Sequence, residues 1–189
     1  MDDIDKQQEE LQRAARELVE KSELLPLLRK LGEPIQTGSS MTGLMVYPDI
    51  DFAVLSSEPD LQAAIDLVPV LTRKLHASHV QVTDFAKDSS ESAAYYVGIM
   101  FPFQGTSWHI DATVSRKDGS DPSDAYKYLL DISSEQRGTI LKLKKELIDT
   151  KRYAGSRSQP PFTFRSLHLY EGVIKGGAKT IKELENYFR

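Results

Sequence analysis

The segment "TGSSMTGLMVYPDIDFAVL", Thr37 to Leu55, ends in a strand that carries two aspartates. Successive side chains on a strand point to opposite faces. Asp49 and Asp51 therefore share one face, and Ile50 and Phe52 share the other. The apolar face needs a layer of helices to cover it. The opposite face cannot be ordinary core, because two carboxylates so close together are costly to bury without a cation. A chain that contains this strand must build a sheet packed on one side and polar on the other.

The residues before the strand suit an anion. Gly38 lets the backbone approach a ligand closely. Ser39 offers a hydroxyl and a backbone N–H, and a short helix starting after the turn would aim its positive end at a phosphate. Gly43 permits a second tight bend. Ser40 and Thr42 read as turn-formers. Carboxylate oxygens suit Mg²⁺, which also keeps waters and binds substrate phosphates. A third carboxylate is available in "SWHIDATV", where Trp108, Ile110, Ala112 and Val114 alternate with His109, Asp111 and Thr113. Three carboxylates from adjacent strands can hold two metal ions ~3.5–4 Å apart, the spacing used for in-line displacement at phosphorus.

The surrounding pattern predicts an α+β fold. Apolar spacing predicts a helix over 3–30, broken near Pro26 and ended by Gly32. Five strands are expected, at 34–37, 49–55, 80–85, 95–101 and 107–114, with a covering helix over 59–75. "KDSSES" and "PFQGT" read as hairpin connections that pair the last three strands antiparallel. Helices are expected over 123–132, 134–151, 164–175 and 178–188. This gives a mixed sheet of about five strands with flanking helices and a helical C-terminal region. The expected division is residues 1–122 as the catalytic domain with its N-terminal helix, and 123–189 as a helical region packed into the same unit.

Gly38-Ser39, a spacer with Gly43, Asp49-Ile50-Asp51-Phe52 and the later Ile110-Asp111-Ala112 together resemble the motifs of the nucleotidyltransferase superfamily. This is the fold of polymerase beta, antibiotic nucleotidyltransferases and poly(A) polymerases. The match in motifs and strand order covers residues 35 to 114. The resemblance implies that Asp49 and Asp51 bind both metals and the nucleotide triphosphate. It implies that Asp111 helps to bind the catalytic metal and activates the acceptor hydroxyl, and that Gly38 and Ser39 hold the β- and γ-phosphates. The implied cofactors are two Mg²⁺ ions, or Mn²⁺ in their place, with an NTP as donor. The implied reaction moves an NMP, AMP first, to a hydroxyl on a small molecule or protein and releases pyrophosphate. The alternative is a non-catalytic module of the same fold that binds nucleotide or protein. Many family members carry Arg or Lys in the spacer, whereas this chain has "MTGLMVYP". The triphosphate charge must then be met from elsewhere, or the nucleotide is held more weakly.

Other readings compete at single positions. Asp3-Ile4-Asp5 has the same letters as the site motif, but it opens a helix, where acids favour the dipole. Asp49 and Asp51 could be exposed acids at a strand end, and Asp111 an edge-strand charge. His109 reads equally as a substrate contact or a structural histidine, and His168 as structural. "KLKKEL", Lys142 to Leu147, reads as a solvated face or as a source of triphosphate contacts. Tyr95, Tyr96 and Trp108 read as packing. The absence of cysteine excludes disulfides, thiolate metal sites and cysteine nucleophiles. The polar start "MDDIDKQQEE" is not a secretory signal, and no apolar run reaches membrane-span length. A cytoplasmic protein with no membrane partner is expected. The net charge of −4 makes nucleic acid an unexpected partner.

Overall fold

A computed structural model of the chain describes residues 3–85, 93–155 and 158–189. The expected "KDSSES" connection lies outside the described residues. The order of elements is α1 (Asp3–Lys21), α2 (Leu24–Leu28), β1 (Glu33–Thr37), α3 (Gly38–Thr42), β2 (Asp49–Ser56), α4 (Leu61–Lys74), β3 (His79–Asp84), β4 (Ala93–Phe103) and β5 (Thr106–Arg116). There follow α5 (Asp124–Lys127) with a 3₁₀ turn (Tyr128–Leu130), α6 (Ser134–Asp149), α7 (Ser166–Ile174) and α8 (Ile181–Tyr187). The fold is α+β.

The five strands form one sheet in the order β1-β2-β5-β4-β3. β2 and β5 run parallel, and the other pairs are antiparallel. The parallel pair sits next to the β1 edge. Its register sets Asp49 beside His109 and Asp51 beside Asp111. The motif strand and the strand of the third carboxylate are thus direct neighbours, although about sixty residues separate them in sequence.

Two apolar clusters hold the fold. In the first, Ile50, Phe52, Ile110, Ala112, Val97 and Ile99 from the sheet meet Ala15 and Leu18 of α1, the leucines of α2, and Ala64, Leu67 and Leu71 of α4. The second is made by α6, α7 and α8, with Ile140, Leu143, Leu147, Phe164, Leu169 and Leu184 at its centre. The segment between α3 and β2 joins them. Its side chains alternate, with Met45 in the sheet cluster and Leu44 and Val46 in the helical one.

Local chemistry explains the helix boundaries. The break expected near Pro26 in the helix over 3–30 falls earlier, between Lys21 and Leu24, where Ser22 Oγ accepts the Leu24 N–H at 3.2 Å. Pro26 then falls in the first turn of α2, where no intrahelical N–H is needed. α6 opens with a reciprocal cap. Ser133 Oγ accepts the Gln136 N–H at 3.1 Å, and the Gln136 side chain accepts the Ser133 N–H at 3.0 Å.

α6 also clamps the end of α3. Gly43 caps α3 in the left-handed region at φ 71°. Arg137 Nη1 donates to the carbonyls of Thr42 and Gly43 at 3.1 and 2.8 Å. These carbonyls end a helix too short to satisfy them itself. Arg137→Ala should therefore lower stability by about 2 kcal/mol and the melting midpoint by ~4–8 °C. Thermal unfolding followed by circular dichroism checks this. An unchanged midpoint would mean that the clamp carries no weight.

Candidate active site

Asp49, Asp51 and Asp111 project from the polar face of the sheet beside α3. All three line one cavity of about 360 Å³, together with Gly38 and Ser39. The structure thus places these five residues around one cavity. Asp49 is 7% exposed. Among the described residues, no lysine or arginine forms an ion pair with any of these carboxylates. The imidazole of His109 lies against two of them, with Nδ1 3.1 Å from Asp49 Oδ1 and Nε2 3.5 Å from Asp111 Oδ1. One ligand atom each from Asp49, His109 and Asp111 lies within 4.8 Å of the others. Asp51 sits behind this trio, opposite Asp111 in register and against the turn at Gly38.

The need for glycine at position 38 is visible. Its φ is +66°, and a Cβ there would lie 2.0 Å from Asp51 Oδ2. A side chain would be strained and would displace a site carboxylate. Ser40 and Thr42 serve the turn itself. Ser40 Oγ donates to Thr37 O at 3.3 Å and accepts from Gln36 at 2.9 Å, while Thr42 Oγ1 donates to Gly38 O at 3.0 Å. Ser39 is left to line the cavity.

The electrostatics show a face short of positive charge. Burial pushes the Asp51 carboxyl up to about 7, and the charges of Asp49 and Asp111 add to the shift. Burial also raises Asp111, against a hydrogen bond from Tyr96 and the charge of His109. His109 is raised, chiefly by its hydrogen bond to Asp49. A bound divalent cation would offset this repulsion, and the donor set, carboxylate oxygens with one imidazole, fits a hard or borderline ion.

The sequence leaves several residues of this cavity unassigned, and of the two readings of "KLKKEL" the solvated face fails at Lys144. It is 1% exposed, and its Nζ donates to Leu44 O at 3.3 Å. The ammonium lies 5.3 and 5.7 Å from the ring centroids of Tyr47 and Tyr153. Burial lowers it to about 8, although Asp49 and Asp51 pull the other way. Within "KLKKEL" only this lysine falls in register with the buried Ile140, Leu141 and Leu147 of α6. That placement in an apolar stripe was the available signal. Arg165, Ser166 and Tyr126 complete the cavity wall. The hydroxyls of Tyr153 and Ser166 are hydrogen-bonded to each other.

Tyr95 and Trp108 are core residues, as expected, each 1% exposed. Tyr96 differs. Its hydroxyl donates to Asp111 Oδ1. The ring crosses Gly98, where a Cβ would lie 2.5 Å from the Tyr96 hydroxyl. His168 is structural, with Nδ1 accepting the Arg165 N–H at 3.4 Å and the ring edge-on to Phe188. A second cavity, of about 340 Å³, shares Asp51, Asp111 and Tyr126 with the first and is otherwise lined by Thr37, Ala53, Thr113, Pro122 and neighbouring residues. Among the described residues, no helix is long and apolar enough to cross a membrane.

The buried charge has a consequence for stability. Asp51 titrates near 7 in the folded chain against 3.8 as its ordinary value. Its neutral form is the one the fold favours. Stability is then full below about pH 4 and is lost as pH rises through 7. In chelator at pH 8, Asp51→Asn should be more stable than wild type by ~1–2 kcal/mol, with the gap closing at pH 4. Chemical denaturation at the two pH values checks the sign. A destabilised Asn variant at pH 8 would make Asp51 a structural residue.

No family model matches the sequence, and neither does any curated protein. Solved structures do match in shape. The non-canonical poly(A) polymerase complex GLD-2–GLD-3 superposes with a TM-score of 0.59 at 12% identity, covering 95% of this chain and 61% of that one. The polymerase core of TRAMP, an RNA surveillance complex, gives 0.54 at 16% identity, covering 96% and 53%. A cytoplasmic RNA terminal U-transferase gives 0.58 at 16%, covering 90% and 52%. The chain thus spans between half and two thirds of the length of these structures. They correct one expectation. Nucleic acid does not stand excluded as a partner, since all three neighbours are enzymes or complexes of RNA. The net charge averages over the whole surface, whereas a phosphate is met locally. By its strand order, its helical C-terminal region and these superpositions, the chain has the polymerase beta-like nucleotidyltransferase fold.

Proposed function

We propose that this chain is a metal-dependent nucleotidyltransferase that moves a nucleoside monophosphate from an NTP to a hydroxyl at the end of an RNA and releases pyrophosphate. The observation that carries the reading is the junction of two cavities at Asp51 and Asp111. One cavity holds Gly38, Ser39, Lys144 and Arg165, the groups that suit a triphosphate. The other offers Thr37, Thr113 and Pro122, and no cation among its described lining. A triphosphate in the first cavity and the terminal hydroxyl of an acceptor in the second can therefore meet at the carboxylates the two cavities share. The RNA acceptor is taken from the neighbours of the same fold, and so is adenylate as the first group to test.

In this scheme Ser39 and the backbone at Gly38 donate to the terminal phosphates, and Lys144 supplies the positive charge missing from the spacer. Asp49, Asp51 and Asp111 hold the cations, which when bound neutralise charge on the phosphate oxygens. Asp111 lines both cavities and takes the proton of the attacking hydroxyl. A bond forms from that oxygen to the α-phosphorus, the bond from the α-phosphorus to the bridging oxygen breaks, and pyrophosphate leaves. The Tyr96 hydroxyl holds Asp111 in place by occupying one of its oxygens.

The test supplies each of the four NTPs, Mg²⁺ or Mn²⁺, and a short RNA with a free 3′ hydroxyl, and reads primer extension and pyrophosphate. Extension is expected with wild type and none with Asp111→Asn. Lys144→Met should weaken NTP binding tenfold to a hundredfold, the worth of one charge-assisted hydrogen bond at ~1.5–3 kcal/mol. It should also lower the melting point, because the buried Leu44 carbonyl loses its donor, so binding is read at a temperature where both proteins are folded. Failure of any NTP to bind or turn over would overturn the reading. NTP turnover without extension would leave the enzyme and remove RNA as acceptor.

A further inference from the structure

The sequence leaves His109 open as a substrate contact or a structural histidine, and its position adds a third role. It stands on β5 directly opposite Asp49, on the polar face, and its imidazole lies between Asp49 and Asp111. Its side chain is 42% exposed, so burial does not force it into this place. Across the sheet His109 is paired with Asp49 on β2 and with Met100 on β4, and Asp111 follows two residues on along β5. Among the described residues no lysine or arginine pairs with these two carboxylates. One nitrogen and two oxygens, each from a different side chain, lie within 4.8 Å of one another. Two ligands on opposite sides of one ion stand ~4.2 Å apart at bonds of about 2.1 Å. A small side-chain adjustment closes the difference.

We infer that His109 is a metal ligand, and that with Asp49 and Asp111 it makes a mixed nitrogen–oxygen site that prefers Mn²⁺ or a later divalent transition ion to Mg²⁺. Mg²⁺ is hard and takes oxygen in nearly all protein sites, whereas imidazole is a better partner for transition ions. The inference rests on the reading of this face as a cation site and adds its selectivity. It also gives a role to the residue that the sequence pattern of three carboxylates leaves out. Asp51, behind the trio and against Gly38, is then free to hold the second ion or the nucleotide-bound one.

The experiment uses the full chain and the metals alone. Mn²⁺ and Mg²⁺ are titrated calorimetrically into wild type, His109→Ala and His109→Asn, and bound Mn²⁺ is examined by pulsed electron paramagnetic resonance for coupling to ¹⁴N. Asn replaces the nitrogen donor by an amide oxygen while keeping a polar group beside Asp49. The wild type should show a nitrogen coupling that both variants lose. The ratio of Mn²⁺ to Mg²⁺ affinity should fall on the order of tenfold in His109→Asn, with Mg²⁺ binding retained. A merely structural histidine would move both metals together and leave the ratio unchanged. Bound Mn²⁺ without nitrogen coupling, or an unchanged ratio, would overturn the inference while leaving the active-site reading intact. No binding of either metal, with or without an NTP, would remove the cation site itself.

Discussion

The parallel pairing of β2 with β5 is the constraint on which the rest of this molecule depends. A shift of one residue in that register would turn Asp111 into the core and Ile110 into the cleft. In the register observed, Asp51 faces Asp111 and Asp49 faces His109. Four ionisable side chains then share one patch of the sheet, while Ile50, Phe52, Ile110 and Ala112 share the other side. The apolar side gives the sheet its helices. The polar side gathers carboxylates that the fold alone does not neutralise, and Asp51 is held up near 7 by burial, with the charges of Asp49 and Asp111 adding to the shift.

The C-terminal helices supply what the sheet lacks. α6 reaches the Gly-Ser turn through Arg137 at the carbonyls of Thr42 and Gly43, and through Lys144 at the carbonyl of Leu44. The same helix thus fixes the turn and places an ammonium beside the carboxylates. Tyr47 and Tyr153 stack around that ammonium and Tyr153 bonds Ser166, so the cavity wall is tied to α7 as well. A spacer without Arg or Lys is consistent with this arrangement, because the cation comes from a helix a hundred residues away in sequence.

Much of this was legible before any coordinates. Period-two alternation exposed both site strands, and the Gly-Ser turn followed by Asp-x-Asp separated Asp49 and Asp51 from the identical letters at Asp3 and Asp5. The neighbours that complete the site were harder to see. Lys144 looks like its solvated neighbours until its helical phase against Ile140 and Leu147 is counted. His109 and Asp49 touch only because of a strand register that no local pattern encodes. Tyr96 reaches Asp111 because Gly98 leaves room, a relation that needs the pairing of β4 with β5. The split between α1 and α2 turned on one serine hydroxyl rather than on Pro26. The expectation against nucleic acid rested on net charge, and overall charge is a weak guide to partners because it averages over the whole surface.

The central claim is that the carboxylate face exists to hold cations that in turn hold a nucleoside triphosphate. Calorimetric titration of a non-hydrolysable ATP analogue, with and without a divalent cation, tests it most directly. Binding is predicted only in the presence of the cation, and it should be lost in Asp49→Asn even when the cation is saturating. Equal affinity in chelator, or undiminished affinity in Asp49→Asn, would contradict the account.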